Sequence, residues 1–132
     1  MKISLNWLKE FVDVAETPQQ LRTRLTGVGL AVDALDQADD DYIYELDIAT
    51  NRPDCLGHLG IAREIAVLWG RALRIPQAAP PESKSSVKQL TRVAIECPEL
   101  CPRYMARVIR GIRVGASPDW LVRRLQTLGI SV

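Results

Sequence analysis

Residues 44–70 constrain the fold more than any other part of the chain, because they join an alternating strand to an amphipathic helix through a short, stiff connector. The connector reads Asn51-Arg52-Pro53-Asp54. The ring of Pro53 fixes its own φ and drives Arg52 towards extended conformations, while Asn51 and Asp54 can bond their own backbone. We therefore predict a rigid corner between a strand and a helix at residues 51–54.

Two glycines follow this corner and open the next helix, which we predict over residues 57–69. Gly57 and Gly60 carry no Cβ, so the backbone there can closely approach another element or a partner. The apolar face of the helix recurs at helical spacing and consists of Leu59, Ala62, Ile65, Ala66 and Trp69. Gly70 ends the helix.

The sequence before the corner predicts two further helices and a hairpin. Ser4 can cap a short helix, and Thr17-Pro-Gln-Gln20 has the form of a capping box with proline at the first helical position. Residues 30–35 and 42–48 alternate as strands on either side of an aspartate-rich turn. We predict that residues 1–75 form a small α+β domain of three helices and a β-hairpin.

The pattern changes after this domain. Residues 76–90 are rich in proline and serine, which is typical of a linker. Residues 91–96 and 103–112 resemble strands, and Ser117-Pro118 can start a helix as N-cap and first helical residue. Two strands and one helix bury too little surface to cover that helix's apolar face. We therefore expect residues 91–132 to be the truncated start of a second domain.

Composition indicates a globular protein of the cytoplasm. Three cysteines are an odd number, which fits reduced thiols better than a disulfide framework, and no apolar run is long enough to span a bilayer. The net charge is only +1, but residues 91–132 hold seven arginines against three acidic residues. These arginines fit the solvent face of a sheet and helix better than a nucleic-acid surface, because no aromatic platform is interleaved with them.

No catalytic constellation is recognisable, so we predict no catalytic, cofactor-binding or metal-binding residue. The pairs Cys55/His58 and Cys97/Cys101 could supply four zinc ligands, but a proline-rich linker separates them. The acidic run at residues 36–41 lacks the ligand spacing of a calcium loop and is read as a solvated turn. We read His58 as a helix-start residue bonded locally, not as a general base.

Four motifs resemble the amino-terminal region of the bacterial phenylalanine–tRNA ligase beta subunit. They are MKISLNWLKEFV at 1–12, DIATNRPDCLGHLGIAREI at 47–65, CPRYMARVIRG at 101–111 and SPDWLVRRL at 117–125. The resemblance implies a winged-helix-like first domain and the start of an α/β editing-type domain that hydrolyses mischarged tyrosyl-tRNA. It also implies an α2β2 ligase that uses ATP and Mg²⁺ to attach phenylalanine to tRNA, with the active site in the alpha subunit.

Two departures from the family qualify these expectations. Family members commonly insert a tRNA-binding OB domain between the hairpin strands, where this chain has only the turn at 36–41. The family's editing-pocket residues lie beyond Val132, so we expect this chain to be inert alone and to contribute to assembly with the alpha subunit. Asn51, Arg52, Pro53 and Asp54 are the predicted corner, and Arg52 is the predicted intersubunit or interdomain charge contact.

Two other readings stay open at this point. The chain could be a stand-alone nucleic-acid-binding module that uses its arginine-rich part, in which case binding would weaken steeply with salt. It could also be a zinc-stabilised adaptor, which would unfold when the metal is chelated.

Overall fold

A computed structural model describes residues 1–132 and divides them into two compact units. The first comprises residues 1–77 together with 117–132, and the second comprises residues 78–116. The first unit contains all helices and strands: β1 (Lys2–Ser4), α1 (Leu5–Phe11), α2 (Pro18–Gly27), β2 (Ala31–Ala38), β3 (Asp41–Asp47), α3 (His58–Trp69) and α4 (Asp119–Thr127). The fold class is therefore mixed α and β, with four helices and one three-stranded sheet.

The sheet is antiparallel with strand order β1-β3-β2, so the hairpin strand β3 lies in the centre. The predicted hairpin is present, and Ala38 pairs with Asp41 at its turn. Asp39 there has a φ of 52°, a left-handed conformation that aspartate tolerates better than most residues. The sequence pattern did not predict β1, because three residues are too few to display alternation.

Both predicted helix starts before the hairpin are confirmed. Ser4 Oγ accepts a hydrogen bond from the N–H of Trp7 and caps α1. Thr17 and Gln20 form the reciprocal capping box of α2. Gly70 ends α3 in a left-handed conformation with φ of 60°. At α4 the N-cap is Pro118 and not Ser117, and no side chain bonds the first N–H groups.

One apolar core lies between the sheet and helices α1, α2 and α3. Its fully buried members come from every one of these elements, and the largest are Tyr44, Ile3, Leu8, Leu21, Leu25, Leu30, Leu46, Ile61 and Ile65. The core leaves no buried side-chain nitrogen or oxygen without a hydrogen-bond partner. The Tyr44 hydroxyl, for example, donates to the Pro18 carbonyl at 3.1 Å.

The chain after α3 is bonded back to the start of the fold. Leu73 forms a bridge with Val12, and the Arg74 N–H donates to the Phe11 carbonyl at 2.6 Å. Arg71 forms a bidentate ion pair with Glu16, with both N–O distances 2.6 Å, and this pair lowers the pKa of the Glu16 carboxyl. Residues up to Arg74 therefore belong structurally to the first unit.

Residues 78–116 contain one short 3-10 turn, Val87–Gln89, and no strand. The strands predicted at 91–96 and 103–112 are absent, which corrects the reading of those patterns. Strand conformation needs a hydrogen-bonded neighbour, and neither segment pairs with another. No helix in the structure is both long and apolar enough to cross a bilayer.

Candidate functional site

The predicted corner is a 3-10 turn over Pro53–Cys55 that connects β3 to α3. Three backbone hydrogen bonds hold the corner. The Arg52 N–H donates to the Ala49 carbonyl at 2.8 Å, the Cys55 N–H to the Arg52 carbonyl at 3.0 Å, and the Leu56 N–H to the Pro53 carbonyl at 3.2 Å. Pro53 occupies the first position of the turn, where its missing N–H costs nothing. The turn faces solvent except at Cys55, which is fully buried.

The Arg52 side chain donates hydrogen bonds to the polar side chains around this corner. Its Nε and Nη2 donate to the Asp54 carboxylate at 3.1 and 2.9 Å, and Nη2 also lies 2.9 Å from Glu64 Oε1 and 3.1 Å from Cys55 Sγ. The bonds from Arg52 lower the pKa of Asp54 to about 2, and the bonds to Asp54 raise the pKa of the guanidinium. A planar guanidinium suits this fork geometry, because it can satisfy several acceptors at once.

The sequence predicted two of the four side chains in this cluster, Arg52 and Asp54. Glu64 and Cys55 were not predicted as members, although Glu64 follows Arg52 by twelve residues and so returns to the corner on the first turns of α3. Asn51 and Pro53 lie in the turn and are exposed. Arg52 is thus bonded within its own domain, and its side chain retains 35% exposure.

Gly60 is where α3 packs against the corner. A Cβ added to it would lie 2.0 Å from the Asp54 carbonyl oxygen and 3.0 Å from the Cys55 Cα. The predicted close approach is therefore real at this position, and the neighbour is backbone of the same chain. Gly57 has φ of 156° but open space around its Cα.

His58 begins α3 and is buried, with 6% of its surface exposed. Its Nε2 accepts the Ser4 N–H at 3.0 Å, and its ring stacks on Trp7 with centroids 3.9 Å apart. The expectation of a local bond was wrong, because the partner lies 54 residues away in β1. Burial lowers the pKa of His58 to about 4, with a smaller contribution from the nearby Arg124 guanidinium.

The candidate zinc ligands are bound to different partners. Cys55 contacts Arg52 and Asp54, whereas His58 faces Ser4. Cys97 and Cys101 lie in the second unit, joined by a backbone hydrogen bond of 3.0 Å. Ligand atoms of Asp54, Cys55 and Glu64 lie within 4.8 Å of one another, but the Arg52 guanidinium bonds all three. The positive charge that a cation would supply to this cluster is therefore already present.

The acidic segment 36–41 was predicted to be a turn, but only Asp39 and Asp40 form the turn between β2 and β3, and the segment also has a structural role. The Asp41 carboxylate accepts hydrogen bonds from the Ser4 hydroxyl and from the N–H of Asn6 at 2.9 Å. The Asp40 carbonyl accepts from the Asn6 side chain at 3.1 Å. The turn thereby holds the first turn of α1, and it forms one wall of a groove of about 570 Å³ whose other wall is α4.

Sequence comparison finds relatives over the whole chain. The phenylalanine--tRNA ligase beta subunit of Rhodopirellula baltica is 45% identical over 132 residues, covering 100% of this chain and 19% of the relative. Those of Syntrophotalea carbinolica and Anaeromyxobacter dehalogenans are 52% and 44% identical over 89 and 105 residues, covering 67% and 80% of the chain. These two matches span 11% and 12% of the relatives. No protein-family model matches.

The motifs that predicted the family include the corner, the first turns of α3, the start of α1, and α4. In the structure these segments contact one another. Arg52 with Asp54 makes the corner, Gly60 seats α3 on it, and His58 connects α3 to Ser4. The chain spans about a fifth of the length of the relative that it matches throughout. It belongs to the phenylalanine–tRNA ligase beta subunit family, as a region of that subunit.

Proposed function

We propose that this chain is a non-catalytic, structural region of a phenylalanine–tRNA ligase beta subunit, at its amino-terminal end. The observation that carries the proposal is the 45% identity to a relative of that name over all 132 residues. In this proposal the complete enzyme uses ATP and Mg²⁺ to join phenylalanine to tRNA in the cytoplasm. The chain contributes to assembly with the alpha subunit, and it supports aminoacylation and editing only as part of the whole.

A graft into a complete ligase tests this function. The matching region of the Rhodopirellula baltica beta subunit is replaced by this chain, and the chimera is produced with its alpha subunit. We expect a tetramer that charges tRNA with phenylalanine, whereas the isolated chain should charge none. A control graft carries Lys84→Ala, which changes an exposed residue outside all helices and strands. A chimera that folds but fails to assemble with the alpha subunit would refute the proposal.

We further propose that residues 51–54 form the structural corner of this region and that Arg52 offers its remaining exposed surface to another subunit or domain. The support is the geometry of one guanidinium that binds Asp54 and Glu64 while 35% of its side chain stays accessible. Arg52→Lys keeps the charge but not the fork, and Arg52→Gln removes the charge.

Both Arg52 variants are placed in the chimera. If Arg52 makes an intersubunit contact, Arg52→Gln should lower the fraction of tetramer more than Arg52→Lys, at equal stability of the isolated chain. Equal tetramer fractions in both variants would remove the interface role and leave Arg52 a residue of the corner alone.

For the organisation of the complete subunit, we propose that residues 1–75 are its first domain, residues 76–90 a linker, and residues 91–132 the beginning of an editing-type domain. The supporting observations are the apolar core confined to residues 1–77 and the scarcity of regular structure in residues 78–116. Residues 117–132 group with the first unit in this chain, and the proposal has them join the second domain in the complete subunit. Limited proteolysis of the chimera and of the isolated chain tests this: cleavage at 76–90 in both supports a linker, and cleavage first inside residues 1–75 contradicts it.

A further inference from the structure

Within the first unit, helix α4 packs with only partial apolar burial, since its Leu121, Val122 and Leu125 are half-buried. None of its nine residues is buried, and Trp120 is 53% exposed. Isolated helices of this length are marginal in water, because nucleation is costly and few hydrogen bonds repay it. The position of α4 must therefore depend on a small number of specific contacts with β1 and α1.

The main contact is the Arg124 side chain. Its guanidinium carbon lies 4.7 Å from the ring centroid of Trp7 in α1 and 5.1 Å from that of Trp120 in α4. The same guanidinium forms an ion pair with Glu10. Both distances are within the range of cation–π attraction, which strengthens when the cation is partly removed from water. One arginine thus joins α4 to α1.

A second side chain that can carry a positive charge also contacts the Trp7 indole. The His58 imidazole stacks on the same indole, with 29° between the planes. Its Nε2 accepts the Ser4 N–H, which requires a lone pair and hence an unprotonated Nε2. If Nε2 were protonated, its N–H would face the Ser4 N–H across 3.0 Å, so that two donors would oppose each other. The protonated ring would also place a positive charge near Arg124.

We infer that α4 is a releasable element, held on Trp7 by the Arg124 guanidinium and loosened when His58 takes up a proton against the same indole. The coupling is reciprocal: if Arg124 disfavours protonation of His58, protonation of His58 must disfavour bound Arg124 by the same free energy. The other charged groups that line the groove come from every element around it. They are Asp41 from β3, which favours protonation, Asp36 from β2, Asp39 and Asp40 from the turn, Glu10 from α1, Lys2 from β1 and Arg123 from α4. This inference concerns the chain itself and does not depend on the proposed function.

The direction of the pH effect follows from the lowered pKa of His58, about 4 in the folded chain against 6.5 for an ordinary histidine. When α4 leaves, Arg124 leaves with it, so the pKa of His58 rises. Protonation therefore favours the released state. Attachment of α4 should be complete near neutral pH. It should weaken only as the pH falls through the pKa of His58 in the released state, which lies below 6.5 because the ring stays buried, towards about 4.

The first test is the pKa of His58, measured by NMR on its ring signal in the 132-residue chain. His58 is the only histidine, so the assignment is unambiguous. Arg124→Gln should raise this pKa by about 0.5 to 1, since it removes one nearby cation. Arg123→Gln is the matched control, because the exposed neighbouring arginine carries the same charge on the same helix. Equal shifts in both variants, or none in either, would overturn the inference.

The second test follows α4 itself. The Cα shifts of residues 119–127 and the indole signal of Trp120 are recorded from pH 7.5 to pH 3.5, together with the Glu10 carboxyl. We expect α4 to lose helical shifts with the midpoint of the His58 titration, while Leu8 and Ile65 in the core keep theirs. A transition that follows Glu10 instead, or that coincides with loss of the core, would overturn the inference, as would an α4 unaffected by pH.

Discussion

At the scale of single residues, the corner after β3 depends on close contacts that a larger side chain or a different donor could not make. Gly60 meets the Asp54 carbonyl, and Arg52 bonds three acceptors with one guanidinium. The proline turn was predictable from Asn51-Arg52-Pro53-Asp54, because each residue type favours it locally. That Glu64 bonds Arg52 was not predictable, because this contact depends on how α3 is oriented when it packs.

Gly60→Ala tests the close approach. In an open helix, alanine in place of glycine stabilises by about 0.5–1 kcal/mol. Here the new Cβ would lie 2.0 Å from backbone that cannot rotate away. We therefore expect the free energy of unfolding to fall by roughly 2 kcal/mol or more, as for other overpacked sites. Gly27→Ala is the control, since no atom lies within 4 Å of its Cβ position and it should be neutral or stabilising. Urea denaturation of both variants decides.

Arg52→Gln tests the electrostatics of the corner. The bonds from Arg52 lower the pKa of Asp54 to about 2, below its ordinary 3.8. Stability from this pair is thus present above about pH 3.8 and is lost as the pH falls through 2. In Arg52→Gln the pKa of Asp54 should return towards 3.8, which NMR of the side-chain carboxyl measures. An unchanged pKa would mean that another group stabilises the carboxylate.

At the scale of elements, the sequence predicted helices better than their contacts. Ser4, Thr17 and Gly70 mark helix ends through local chemistry, and each does so in the structure. Strand β1 was not predicted, and two strands were predicted in residues 78–116 that are absent from the structure. Both errors have the same cause. A strand forms only when it pairs with a neighbouring strand, and its own residues do not specify which segment that neighbour is.

Ser4→Ala tests whether the start of α1 depends on the hydrogen bonds that Ser4 makes with Trp7 in α1 and with Asp41 in β3. Ser4 Oγ accepts from Trp7 and donates to Asp41, and both bonds vanish with the hydroxyl. Loss of an N-cap alone costs about 1 kcal/mol. With the Asp41 bond also lost, we expect a decrease of about 1–3 kcal/mol in the free energy of unfolding. Ser85→Ala, in an exposed segment without helix or strand, should change it by less than about 0.5 kcal/mol.

At the scale of the whole molecule, the apolar core belongs to the first unit alone. Every buried apolar side chain lies in residues 1–77, while large apolar residues of the second unit such as Leu100 and Met105 are exposed at 82% and 75%. Cooperative unfolding should therefore report the first unit. Of the apolar face predicted for the last helix, Trp120 is 53% and Leu128 40% exposed, whereas Leu121 and Leu125 are half-buried.

Leu8→Ala and Leu100→Ala separate the two units. Leu8 is completely buried, so its truncation should lower the free energy of unfolding by about 2–5 kcal/mol. Leu100 is 82% exposed, so the same change should have an effect below about 0.5 kcal/mol. Thermal unfolding followed by tryptophan fluorescence measures both. A comparable loss in the two variants would show that residues 78–116 unfold together with the core.

The sequence by itself determined the local features: the capping residues, the proline corner, the hairpin and the family to which the motifs belong. The capping residues, the corner and the hairpin follow from backbone preferences and hydrogen bonds between residues near one another in the sequence, whereas the family follows from the resemblance of the motifs. Only the tertiary structure decided that His58 bonds Ser4, that Glu64 bonds Arg52, and that Arg124 lies over the Trp7 ring. The physical reason is that these contacts join residues 12 to 117 positions apart, and their alignment is set by packing of the core, which no local pattern encodes.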